Sequence, residues 1–112
     1  MIIDCKVNQN KIELLTDKGV QSITEYNVSK VIFDEHNILC ISFVEDTVWL
    51  LNDEGKCICE ISNTDNVYIM YIQKHPRFGL CITASINDGN NNWQDQYLTY
   101  INGEFRTVSI AR

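Results

Sequence analysis

Two histidines and one close pair of cysteines are the side chains of this sequence best suited to chemistry. His36 stands in the acidic segment Asp34-Glu35-His36-Asn37, and a carboxylate beside an imidazole can begin an acid–base or metal site. Neighbouring residues in a hairpin turn point apart into water, however, and no second histidine is near in sequence. The expectation is a solvated turn. His75, followed by Pro76 and Arg77, reads as a solvated turn residue as well. Cys57 and Cys59 flank Ile58, and residues two apart on a strand project from one face, where both thiols could reach one metal. Structural zinc takes four ligands and usually a wider Cys-Cys spacing, so buried packing is the stronger reading for this pair. No Ser-His-Asp order, nucleophile elbow or phosphate-binding glycine loop is recognisable. The expectation is a chain that is not an enzyme and carries no cofactor and no metal.

The segment Asn87 to Gln96 is polar apart from Trp93. Asp88, Asn90 and Asn92 have the spacing of the first ligands of an EF-hand loop, but Trp93 stands where that loop requires glycine and Thr99 where it requires glutamate. Calcium is therefore not expected. A large aromatic in a polar loop is the residue type most enriched at binding hot spots. Trp93 either anchors a partner in this way or folds back over the core.

These side chains must be positioned by a small scaffold. At 112 residues the chain fits one domain, 1–112, and a chain of this size buries roughly two thirds of its unfolded surface. Hydrophobic residues make up 45% and charged residues 21%, which is ordinary globular usage and not that of disorder. The first apolar stretch is interrupted by Asp4 and Lys6, so neither a signal peptide nor a spanning helix is expected. Cys5, Cys40, Cys57, Cys59 and Cys81 form an odd set inside apolar segments, expected to be reduced, buried and cytoplasmic. The net charge of −6 with only nine Lys and Arg argues against direct contact with nucleic acid. It suits attraction of a basic protein.

Alternating or β-branched segments punctuated by Asp, Asn and Gly predict strands at 2–8, 11–16, 20–26, 28–34, 38–45, 47–52, 56–62, 66–74, 79–87, 96–102 and 104–110. Asp17-Lys18-Gly19, Asp53-Glu54-Gly55 and Asn102-Gly103 predict tight hairpin turns. A weak repeat runs through them: LLTDKG at 14–19 recurs as LLNDEG at 50–55, with a looser TYI-NG at 99–103. LCIS at 39–42 is echoed by LCIT at 80–83. Short antiparallel strands repeating at about 40 residues are the signature of propeller-type blades. The expected fold is all-β, built of antiparallel hairpin repeats in a partial, half β-propeller-like stack of about two and a half blades, with units at 11–46 and 47–87 and a partial unit at 95–112. Such a stack leaves terminal faces and edges uncovered. Asp4, Lys6, Glu13, Lys30, Glu60 and Arg106 are placed to keep possible edge strands from pairing with other chains.

With the repeat LLTDKG and LLNDEG, the acidic turns and the Asn-rich loop around Trp93 in view, the chain resembles the small immunity proteins of bacterial contact-dependent growth inhibition systems. Those are cytoplasmic inhibitors, commonly acidic, each neutralising one cognate toxin domain that is often a basic nuclease acting on tRNA. The resemblance lies in size, charge and strand pattern over the whole chain, and it implies a role without assigning binding residues. A cationic active site would be occupied by an acidic surface with an aromatic anchor. On that expectation Asp88, Trp93 and Asp95 make the contact, with Asp34, Glu35, Glu45, Asp46, Asp53 and Glu54 as further candidates on turns at the sheet ends. The partner is then the toxin protein, with no direct nucleic acid and no membrane. The alternatives are an interaction module that self-associates through its open face, and a small-ligand domain with a pocket near His36 or the cysteine pair.

Overall fold

The computed structural model describes residues 1–9, 11–24, 28–34, 37–42 and 46–111, with the backbone alone for 37–42. Its elements are β1 (Ile2–Asn8), β2 (Lys11–Thr16), β3 (Gly19–Ile23), β4 (Lys30–Phe33), β5 (Asn37–Ser42), β6 (Thr47–Asn52), β7 (Cys57–Ser62), β8 (Val67–His75), β9 (Gly79–Asn87), β10 (Trp93–Ile101) and β11 (Glu104–Ile110). No helix is present among the described residues, and none is long and apolar enough to cross a membrane. The strands form three antiparallel meanders in chain order: β1-β2-β3, β4-β5-β6-β7 and β8-β9-β10-β11. The fold is therefore all-β and antiparallel.

Each echo in the sequence falls on equivalent places in these sheets. Asp17-Lys18-Gly19, Asp53-Glu54-Gly55 and Asn102-Gly103 all join the last two strands of a sheet. LCIS and LCIT lie on β5 and β9, the second strands of theirs. By this alignment β1 corresponds to β5 and β9, so the first sheet has no counterpart of β4 and β8 among the described residues. The phase of the repeat differs from expectation. The sheets span 2–23, 30–62 and 67–110 rather than 11–46, 47–87 and 95–112, because the repeated turn precedes the last strand of each sheet. A count started at that marker cuts through the hairpins.

Alternation along β6 explains how the sheets associate. Thr47 to Leu51 are all buried, as expected of a strand covered on both faces. Val48 and Leu50 join Ile69, Ile72, Leu80, Ile82, Ala84 and Leu98 in a core between the second and third sheets. Trp49 and Leu51 turn the other way and join Ile2, Ile12, Leu14, Ile23 and Val28 against the first sheet. The middle sheet thus carries two cores, one on each face, with β5 as an inner strand beside β6. Polar ties reinforce the stack: the Gln21 side-chain amide donates to the Glu54 carbonyl at 2.9 Å, and the Lys30 ammonium to the Ile72 carbonyl at 3.3 Å. Asn102 (φ 51°) and Gly103 (φ 93°) are both left-handed, the backbone of a two-residue turn whose twist matches the flanking strands.

Most of the charges placed against edge pairing do lie on edge strands: Asp4 and Lys6 on β1, Lys30 on β4, Glu60 on β7 and Arg106 on β11. Glu13 instead lies on the central β2, directly opposite Lys6.

Candidate protein-binding face

In the third sheet, register sorts the side chains cleanly. The pairs Ile69↔Ala84 and Ile72↔Ile82 face the core. The rungs Tyr68↔Ser85↔Asp95 and Tyr71↔Thr83↔Tyr97 face the opposite way, with Asn87↔Trp93 beyond them. A bulge at Met70 between Ile69 and Tyr71 keeps this alternation in step. Among the described residues no other sheet covers this outer face: Tyr68 is 58% exposed, Trp93 46%, Tyr71 44% and Met70 40%.

The face nevertheless has packing of its own. Cys81 and Thr83 lie on it by register yet are buried at 0% and 2%. On β8 the Gln73 amide reaches Thr83 and donates to its hydroxyl at 3.3 Å. Burial raises the Cys81 thiol pKa, an effect the Gln73 contact partly offsets. Toward the other end, His75 packs against Phe78 and Tyr97 with ring centroids 4.9 Å away in each case, and Arg77 sits over Phe78 at 5.3 Å. The His75 Nδ1 accepts the Arg77 backbone N–H at 3.0 Å. His75 is therefore a half-buried strand residue within an aromatic cluster, not a solvated turn residue.

Trp93 opens β10 rather than standing in a ten-residue loop. Water-facing polar residues are tolerated in a strand with one solvated face, which is why the composition of Gln94, Asp95 and Gln96 disguised it. The connection shrinks to 88–92, and Asp88 organises it. Its carboxylate accepts the backbone N–H of Asn90 at 2.7 Å and of Asn92 at 3.4 Å, and the Asn92 side-chain amide at 3.1 Å. These bonds, the one from Asn90 first, hold the Asp88 carboxyl below its ordinary pKa. The EF-hand-like spacing is thus a turn network, an aspartate folding the backbone around itself. Trp93 stands outside both cores and borders a cleft with Tyr68 and Ser85.

The remaining acidic candidates do not form one surface. In a meander, the connection between the second and third strands lies at the opposite end of the sheet from the other two. Asp34, half-buried, and the turn residues Asp53 and Glu54 therefore occupy one end, and Asp46 and Asp88 the other. Asp53 lies 3.1 Å from the Met1 amino group, and Glu54 3.8 Å from the Lys56 ammonium. Asp46 is exposed, and its carbonyl accepts the Asn63 N–H at 3.2 Å. Asp95 is exposed beside Ser85 on the aromatic face. Glu35 and Glu45, like His36, lie outside the described residues. Of the expected contact residues, the fold brings Asp88, Trp93 and Asp95 together on one hairpin. Tyr68 and Tyr71, which complete the face, were missed because their partnership with Trp93 depends on the register of β8 against β9 and β10.

The cysteines depart from the expected burial. Cys81 is buried, Cys5 and Cys59 are half-buried, and Cys57 is exposed. A bulge at Ile58 sets Leu50 opposite Cys59 and Leu51 opposite Cys57, which takes the pair off a common face. The Cys57 thiol donates to the Cys59 carbonyl at 3.4 Å, the Cys40 side chain lies outside the described residues, and among the described residues no group of three or more His, Cys, Asp or Glu could hold a metal ion. Burial, with Asp4 adding repulsion, pushes the Cys5 thiol up to about 11. Asp34 lines a crevice between the second and third sheets with Phe78, Tyr100 and Phe105, of only about 140 Å³, well under the roughly 300 Å³ where ligand pockets usually begin. Comparison with known protein families, curated proteins and solved structures finds no match to this chain.

Proposed function

We propose that this chain is a protein-binding inhibitor of the immunity type, which neutralises a basic toxin domain, a nuclease acting on RNA, by covering its cationic active site with the outer face of the third sheet. The observation that carries the reading is the exposed aromatic face bearing Tyr68, Tyr71 and Trp93, with Asp95 on it and Asp88 at its rim. Large aromatics standing clear of the core supply contact area at low entropic cost. The net charge of −6 draws a basic partner toward them and repels RNA.

Co-expression with the open reading frame adjacent to its gene tests this. The expected result is a complex that co-purifies, weakens as salt rises and abolishes RNA cleavage by the partner. RNA cleavage that continues in the presence of excess chain overturns the reading.

One observation favours self-association as a second reading. The outer face of the first sheet also exposes apolar side chains, with Val20 at 73% and Leu15 at 38% beside Asp4, Lys6 and Glu13. A discrete dimer whose stability rises with concentration, and which Val20→Ser disperses, would establish it.

A further inference from the structure

We propose that Tyr68, Trp93 and Asp95, arranged around Ser85, form a seat for one arginine side chain of the partner. The proposal rests on the protein-binding reading above and makes it chemically specific. Tyr68 and Asp95 flank Ser85 on the neighbouring strands, roughly 5 Å to either side in an antiparallel ladder. Trp93 lies two residues before Asp95 on the same face of β10. Tyr68, Ser85 and Trp93 border one open hollow on this face, with Asp95 next to Ser85 on the adjoining strand.

Each part matches one property of a guanidinium. Its flat, weakly hydrated face stacks on an indole or phenol ring, and its edge presents paired donors to a carboxylate. Asp95 is exposed, and among the described residues no cation pairs with it. The acidic side chains at the other end differ in this respect, since Asp53 is paired with the Met1 amino group and Glu54 with Lys56. A lysine could reach Asp95 but would present a compact, strongly hydrated charge to the rings, which suits the seat less well.

The test titrates nitrogen-15-labelled full chain with three blocked tripeptides, Gly-Arg-Gly, Gly-Lys-Gly and Gly-citrulline-Gly, the last being a neutral isostere of the first. The indole N–H of Trp93 reports the seat, while that of Trp49, buried in the core, serves as the internal control. The arginine peptide is expected to shift the Trp93 indole and the Ser85 amide at millimolar concentration and to leave Trp49 unmoved. The citrulline peptide should do neither, and the lysine peptide should bind several-fold more weakly. Asp95→Asn and Tyr68→Ala should each weaken the arginine response roughly fivefold, as loss of one exposed cation–π or ionic contact does. An equal response to citrulline or lysine, an unchanged response in Asp95→Asn, or no shift of Trp93 overturns the seat. A partner complex that retains full affinity with Asp95→Asn and Tyr68→Ala rejects the seat and leaves the protein-binding reading standing. If the wild-type chain forms no complex at all, that reading fails and the peptide titration alone decides the seat.

Discussion

Asp88 shows how one side chain sets local structure at the rim of the aromatic face. Its carboxylate is a better acceptor charged than protonated, and its three contacts favour the charged form, Asn90 most strongly. The sign follows: the folded pKa lies below the ordinary 3.8, so the order of the 88–92 turn is fully present above that value and is lost as pH falls through the lowered one. NMR titration should show the Asp88 carboxyl and the Asn90 amide changing together at a pH below that of an unfolded aspartate. Asp88→Asn should remove the transition. Gly55 is a second position where one side chain decides. Its φ of +80° is left-handed, and an added Cβ would come within 2.8 Å of Ile23 Cδ1 across the first two sheets. Gly55→Ala should therefore lower stability by about 1–2 kcal/mol, from backbone strain alone or more, read as a lower denaturation midpoint at unchanged m.

The elements were legible to the extent that their physics is local. Tight turns carry Asp, Asn and Gly for reasons of backbone conformation, so the three repeated hairpins could be read directly, whereas the grouping of strands into sheets could not. What escaped depends on neighbours distant in sequence. β10 begins at Trp93, three residues earlier than its composition suggests, because the ladder with β9 continues where one face meets water. Cys57 and Cys59 alternate as expected only until a bulge intervenes, and nothing in KCICEIS announces it. Tyr68 and Trp93 are far apart in sequence and meet only through the register of three strands. Burial along β6 gives the element-scale test. Leu50 is 2% exposed within the core between the second and third sheets, and Leu50→Ala should cost about 2–5 kcal/mol. Leu15, 38% exposed on the outer face of the first sheet, should cost about 1 kcal/mol or less when changed to Ala. Chemical denaturation of both variants checks the ordering; equal losses would contradict the two-core architecture.

At the scale of the molecule, the described residues of the three sheets in series leave the outer faces of the first and third uncovered, and the two differ in character. The first sheet exposes branched aliphatic side chains beside Asp4, Lys6 and Glu13; the third exposes tyrosine, tryptophan and the Asp95 carboxylate, which no cation among the described residues pairs. Only the third has the composition of a binding hot spot for a basic protein. Attraction between the acidic chain and such a partner should act chiefly on association, so raising salt from low to physiological strength should slow the on-rate more than it speeds dissociation. Stopped-flow mixing at several ionic strengths would show this. The central claim is that binding runs through the outer face of the third sheet, and affinity for the co-purified partner is its most direct measure. Trp93→Ala is expected to weaken the complex by roughly 30-fold, the loss of about 2 kcal/mol typical of an aromatic hot spot, while Val20→Ser on the first sheet leaves affinity unchanged. Full affinity in Trp93→Ala together with loss in Val20→Ser would contradict the account and move the interface to the opposite end of the stack.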